Sequence, residues 1–143
     1  MIYIASDHVG RELKQYLIKY LTEIGYQCED LGPFTSKRAN YTTYANKLAS
    51  KIKRSDNKGI LICGTGIGMS IMANRHKGII AAVCINEYMA RLTVMHNNAN
   101  VICLGSRILG EEMAKSIVNE FLNSHFEGGR HLKRVKQYDS YTI

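Results

Sequence analysis

The chain has 143 residues, a formal net charge of +7, 45% hydrophobic and 22% charged residues. That length suits a single domain spanning 1–143 that buries a core without disulfide or metal support. Apolar runs fall short of the ~20 residues that cross a bilayer, and the N-terminus enters an apolar segment with no basic leader or long h-region, so the expected place is the cytoplasm.

Ile2 to Ala5 is an apolar run of strand length, and Arg11 to Ile24 then sets Leu13, Leu17, Leu21 and Ile24 at helical spacing. Tyr26 to Leu31 predicts a second strand, entered after Gly25 as a helix C-cap and broken by Gly32-Pro33. A polar loop through Asn40 leads to a helix with Tyr41, Tyr44, Ala45, Leu48 and Ile52 on one side. Gly59 to Cys63 predicts the third strand and Gly66 to Arg75 a helix. Ile79 to Ile85, Glu87 to Met95, Val101 to Leu104 and Glu111 to Leu122 continue as strand, helix, strand and helix. Short continuous apolar strands alternating with helices predict an α/β fold, a five-stranded parallel sheet with helices on both faces. A helix after Phe126 has no strand to follow and is expected to pack on another subunit.

In such sheets ligands bind outside the carboxyl ends of the strands. Ser6-Asp7-His8, Cys63-Gly64-Thr65 and Gly105-Ser106-Arg107 fall there. Cys63 ends an apolar run and is followed by Gly64, Gly66 and Gly68, which let successive N–H groups turn toward one point. A thiol beside clustered N–H donors is equipment for stabilising an oxyanion. The loop has neither the lysine of a nucleotide-binding P-loop nor, with Met69 in place of the third glycine, the dinucleotide fingerprint. Methionine also stands where a Cys-x5-Arg phosphatase loop needs arginine.

Cys28, Cys63, Cys84 and Cys103 include no Cys-x-x-Cys pair, which fits reduced thiols and gives no zinc-knuckle spacing. Asp7 reads either as a helix cap or, with His8, as a source of polar contacts and proton transfer. His96 lies in a polar loop before the fifth strand, where an imidazole serves as acid or base. Arg107, Arg130 and Arg134 offer guanidinium forks to phosphate oxygens, and Arg130 and Arg134 share a face if helical. The cationic stretch Gly128 to Lys136 also suits nucleic acid, but without interleaved aromatics or a recognisable binding module.

Taken together, Ser6-Asp-His-Val-Gly10, Ile62-Cys-Gly-Thr-Gly-Ile-Gly68, His96-Asn-Asn-Ala-Asn-Val101, Gly105-Ser-Arg107 and Glu127-Gly-Gly-Arg-His131 resemble the type B ribose-5-phosphate isomerases, of the superfamily that includes the galactose-6-phosphate isomerase subunits. The likeness runs from residue 1 to about 138, in order. It implies a Rossmann-like three-layer α/β/α sandwich, a homodimer or dimer of dimers with active sites at the subunit interface, and no metal or organic cofactor. It makes Cys63 the base that moves a proton between C1 and C2 of an open-chain sugar phosphate, with the N–H groups of Gly64, Gly66, Ile67 and Gly68 around the enediolate. It makes His96 the ring-opening group, Asp7 and Thr65 polar neighbours of the sugar hydroxyls, Asn97 a substrate contact, and His8, Arg107, Arg130 and Arg134 phosphate contacts.

Asn40-Tyr41-Thr42 departs from the family's frequent Asp-Tyr-Pro, and Ile67 stands where some members carry a glutamate base, which leaves Cys63 as the candidate base. The resemblance implies a pentose phosphate enzyme, soluble, with a sugar phosphate as partner and neither nucleic acid nor membrane. An isomerase of allose 6-phosphate or another aldohexose phosphate is the near alternative. A non-catalytic anion or nucleic-acid module is the alternative from another class, and a dinucleotide-dependent oxidoreductase a weaker one.

Overall fold

The computed structural model describes residues 1–52 and 56–140. Five strands, β1 (Ile2–Ser6), β2 (Cys28–Asp30), β3 (Lys58–Cys63), β4 (Ala81–Val83) and β5 (Val101–Gly105), form one parallel sheet in the order β2-β1-β3-β5-β4. The helices are α1 (Arg11–Glu23), α2 (Tyr41–Ile52), α3 (Ile67–Ala73), α4 (Glu87–Met95), α5 (Glu111–Asn123) and α6 (Leu132–Val135), the last entered through a 3-10 turn at Gly129–His131.

Alternation along the strands divides the core into two layers. Ile4, Ile60, Ile62, Ile102 and Leu104 face α1, α4 and α5, where Leu17, Val94 and Phe121 meet them. Ala5, Leu61, Cys63, Val101 and Cys103 face α2 and α3, packing with Leu48, Ile52 and Met69. This is the expected three-layer α/β/α sandwich. Most of these strand residues are wholly buried, because a central parallel strand is covered on both faces.

The edge strands are shorter than the apolar runs suggest. β2 covers Cys28–Asp30 rather than 26–31, because the Tyr26 N–H closes on Leu21 O at the end of α1. β4 covers Ala81–Val83 rather than 79–85 and pairs with β5 alone. The C-terminal helix α6 has four residues and buries none of them, with Leu132 42% exposed.

Every strand runs in one direction, so each following helix carries the chain back to the sheet's N-terminal edge. β3 delivers Cys63 to the C-terminal edge, where it pairs with Gly105. α4 delivers its C-cap, His96, to the opposite edge, just before Val101 opens β5.

Candidate active site

At the C-terminal edge three strand ends meet. Asp7 N–H donates to Ile62 O at 3.0 Å, Ser106 N–H to Cys63 O at 2.8 Å and Arg107 N–H to Gly64 O at 3.0 Å. Ser106 Oγ lies 3.2 Å from both Val9 O and Cys63 O, clipping the loops to one another. The buried Cys63 Sγ accepts the Gly66 N–H at 3.1 Å. The exposed Thr65 accepts the Ile67 N–H at its Oγ1, 3.2 Å away.

Two glycines allow the loop to sit this close. Gly66 has φ +82°, and a Cβ there would stand 3.1–3.2 Å from the backbone of Cys103 and Leu104. Gly105 passes beneath Thr65, where a Cβ would come within 2.8 Å of its backbone. Left-handed backbone and contact without a side chain are what glycine alone tolerates cheaply.

Asp7 acts as a cap in this structure, its Oδ1 accepting the Gly10 N–H at 2.9 Å where α1 begins. His8 is exposed, with Nδ1 3.2 Å from both the backbone O and N of Ala39. The exposed Arg107 lies over the loop, since a Cβ on Gly64 would sit 3.4 Å from its Nη1. Tyr41 leans over the same loop, its ring 2.8 Å from where a Gly68 Cβ would be.

Burial governs the thiols of Cys28, Cys84 and Cys103. Burial pushes Cys84 up to about 11. Cys103 is raised well above the ordinary thiol value, first by burial and then by Cys63 and Cys84, and burial also raises Cys28. Thiols raised in this way are inert as thiolates.

His96, Asn97, Arg130 and Arg134 form a second group, at the N-terminal edge. The Glu127 N–H donates to Met95 O at 3.0 Å, tying the C-terminal segment to the end of α4. His131 stacks on His96 with ring centroids 4.2 Å apart and 14° between planes. Glu127 Oε2 lies 3.9 Å from His96 Nε2 and 3.5 Å from His131 Nε2. Arg130 Nε donates to His131 Nε2 at 3.4 Å, and Asn97 Nδ2 to Tyr138 Oη at 3.0 Å. Burial, then His96 and Arg130, hold His131 below the usual histidine value.

The thirteen candidate residues thus divide into Asp7, His8, Cys63 to Gly68 and Arg107 on one edge and His96, Asn97, Arg130 and Arg134 on the other. Since Cys63 pairs with Gly105 at the far end of β5 from Val101, at least four residue steps, about 13 Å of strand, separate the groups. Glu127 and His131 bound the motif Glu127-Gly-Gly-Arg-His131, which by itself assigns neither of them a role. Their spacing of four, with His96 before a strand, was the available signal for a cluster.

A family model described as Ribose/Galactose Isomerase matches residues 2–138. The chain is 44% identical to ribose-5-phosphate isomerase B of Escherichia coli strain K12 over 136 residues, covering 94% of this chain and 91% of that protein. Its fold matches the crystal structure of a ribose 5-phosphate isomerase from Thermotoga maritima with a TM-score of 0.94 and 46% identity, over 98% of this chain and 97% of the other. It matches ribose-5-phosphate isomerase B of Mycoplasma genitalium, a crystal structure with bound ribulose-5-phosphate, with a TM-score of 0.95 and 42% identity, over 98% and 94% of the two chains. The chain belongs to the ribose/galactose isomerase family, and it is an aldose-ketose isomerase. Among the described residues no helix is long and apolar enough to cross a membrane.

Proposed function

We propose that this chain interconverts ribose 5-phosphate and ribulose 5-phosphate without a metal or organic cofactor, in the cytoplasm, using sites assembled from two copies. The observation that carries the reading is Cys63 Sγ at a strand's end, 3.1 Å from the Gly66 N–H, in a loop whose Gly64 lies under Arg107. Relatives named for this reaction, one holding ribulose-5-phosphate, support the substrate.

The chemistry runs through an enediolate. In the open-chain aldose the C2 proton is weakly acidic because its removal places negative charge on O1. The Cys63 thiolate takes that proton, the N–H groups of the Gly64 to Gly68 loop hold the developing oxyanion, and the thiol returns the proton to C1. The O2 proton moves to O1 as the carbonyl forms at C2, so nothing is gained or lost. A positioned base is worth typically ~10²–10⁴-fold and each oxyanion donor ~10²–10³-fold. Asp7 and Thr65 border the sugar hydroxyls.

Ring opening needs a proton removed from the anomeric hydroxyl and one delivered to the ring oxygen, and His96 is the group for this transfer. Because His96 stands at the opposite edge of its own sheet, the His96 that serves one Cys63 belongs to a second copy, together with Asn97, Arg130 and Arg134. His8 and Arg107 of the first copy and Arg130 and Arg134 of the second then hold the phosphate. Ile67 and Ile71, four apart and both more than half exposed beside the reaction loop, supply the apolar surface for such a contact.

The test is turnover of ribose 5-phosphate and of allose 6-phosphate by the wild type and Cys63→Ala, with and without chelator. The expected result is chelator-insensitive activity favouring the pentose, and a kcat loss of at least about 10³-fold in the variant with KM within a few-fold. A higher kcat/KM for the hexose phosphate, or wild-type turnover by Cys63→Ala, contradicts the reading.

A further inference from the structure

We infer that His96, Glu127 and His131 form a binding site for a divalent transition-metal ion of the zinc class, and that occupying it inhibits the enzyme by withdrawing His96. One ligand atom from each of these residues lies within 4.8 Å of the others. The metal site stands on this geometry alone, and the inhibition rests on the proposed role of His96.

Three features of the backbone hold the cluster together. His96 caps α4. Glu127 is pinned to the residue before it through Met95 O. Gly128 and Gly129 take φ of +68° and +52°, and the His131 N–H closes on Gly128 O at 3.0 Å, which turns His131 back toward His96. The imidazole of His131 is buried and that of His96 half-buried. Proton transfer at C1 and C2 uses neither Glu127 nor His131, so the isomerase reading leaves two of the three groups unexplained.

The donor set is two imidazoles and a carboxylate, which zinc accepts while keeping a fourth position open. Metal–ligand bonds of about 2.0–2.1 Å at tetrahedral angles put ligand atoms roughly 3.3–3.4 Å apart. The Glu127 to His131 separation of 3.5 Å is already close to this, whereas the 3.9 Å from Glu127 to His96 and the wider gap between the two imidazole nitrogens, within 4.8 Å, ask His96 to move by about an ångström. The near-parallel rings must splay so that both lone pairs converge, and His96, with 32% of its side chain exposed, has room to turn. An arriving ion displaces the long Arg130 contact at His131 Nε2. The guanidiniums of Arg130 and Arg134 oppose a second cation, which makes this a site for an inhibitory ion rather than a resident one.

Zinc titration of the intact protein, read by competition with a chromophoric chelator, is expected to give one ion per chain with saturation below about 100 µM. Binding should weaken at least about tenfold in both His131→Ala and Glu127→Gln. Cobalt in place of zinc should give the visible bands of a tetrahedral nitrogen and oxygen site without a thiolate charge-transfer band, and Cys63→Ala should bind as tightly as wild type. Turnover should fall at least about tenfold at saturation and return with chelator. Absence of saturable binding, a thiolate band, or full affinity in Glu127→Gln and His131→Ala overturns the site. Binding that meets these criteria but leaves turnover unchanged supports the metal site, overturns the inhibition and removes His96 from ring opening.

Discussion

The Gly66 amide donates to Cys63 Sγ across 3.1 Å, and it does so because the glycine adopts a left-handed backbone at φ +82°. The thiol and the turn are therefore one device, with the conformation of the third residue after the cysteine aiming a donor back at sulfur.

A side chain at this turn should damage stability and catalysis together. Gly66→Ala places a Cβ 3.1–3.2 Å from the backbone of β5 and forces alanine into a conformation costing about 1–2 kcal/mol. Thermal melts should show a Tm lowered by roughly 4–8 °C per kcal/mol at the small end of domain size and somewhat less here. Steady-state kinetics should show a kcat reduced at least about tenfold, as the donor at Cys63 shifts. A variant with unchanged Tm and kcat contradicts the role of this turn.

The arginines proposed to hold the phosphate should separate by kinetics. Removing one charge-assisted contact costs about 1.5–3 kcal/mol, so Arg107→Ala and Arg134→Ala should each lower kcat/KM for ribose 5-phosphate by roughly 10–150-fold. Neither should matter for isomerisation of unphosphorylated ribose at high concentration. A loss of equal size on both substrates would show that the arginines do not act through phosphate.

His131 gives stability a pH dependence with a defined sign. Its value is lowered from 6.5, chiefly by burial and then by His96 and Arg130. The unfolded chain therefore takes up the proton more readily than the folded one. The contribution is complete above about pH 6.5 and is lost as pH falls toward the folded value. Tm measured from pH 7.5 to 5 should drop more steeply for wild type than for His131→Gln. Parallel curves would show that His131 does not contribute.

Much of the fold is legible in the sequence because its strands are continuous apolar runs closed by Gly or polar residues, as at Cys63-Gly64 and Gly105-Ser106. The edge strands are less so. Apolar character at 79–85 suggests burial, but the ladder with β5 covers only Ala81 to Val83, opposite Val101 to Cys103, and on the open side of this edge strand the Asn74 side chain holds the Ala81 backbone. Asp7 shows the same limit, since a carboxylate after a strand fits both a cap and a substrate contact. The division of the site between edges follows from topology: a residue ending a helix and a residue ending a strand cannot share an edge of a parallel sheet. His96 precedes β5 and Cys63 ends β3, but motif order alone carries no distance, and only the strand register of Cys63 with Gly105 supplies it.

The central claim is that one working site takes Cys63 from one copy and His96 from another. Cys63→Ala and His96→Ala, each inactive alone, should regain activity when unfolded together and refolded as a mixture. Half of the dimers are then mixed, and each mixed dimer carries one site with both residues intact, so recovery should approach about one quarter of wild-type turnover. A mixture in which mixed dimers form but activity stays at the level of the separate variants would contradict the shared site.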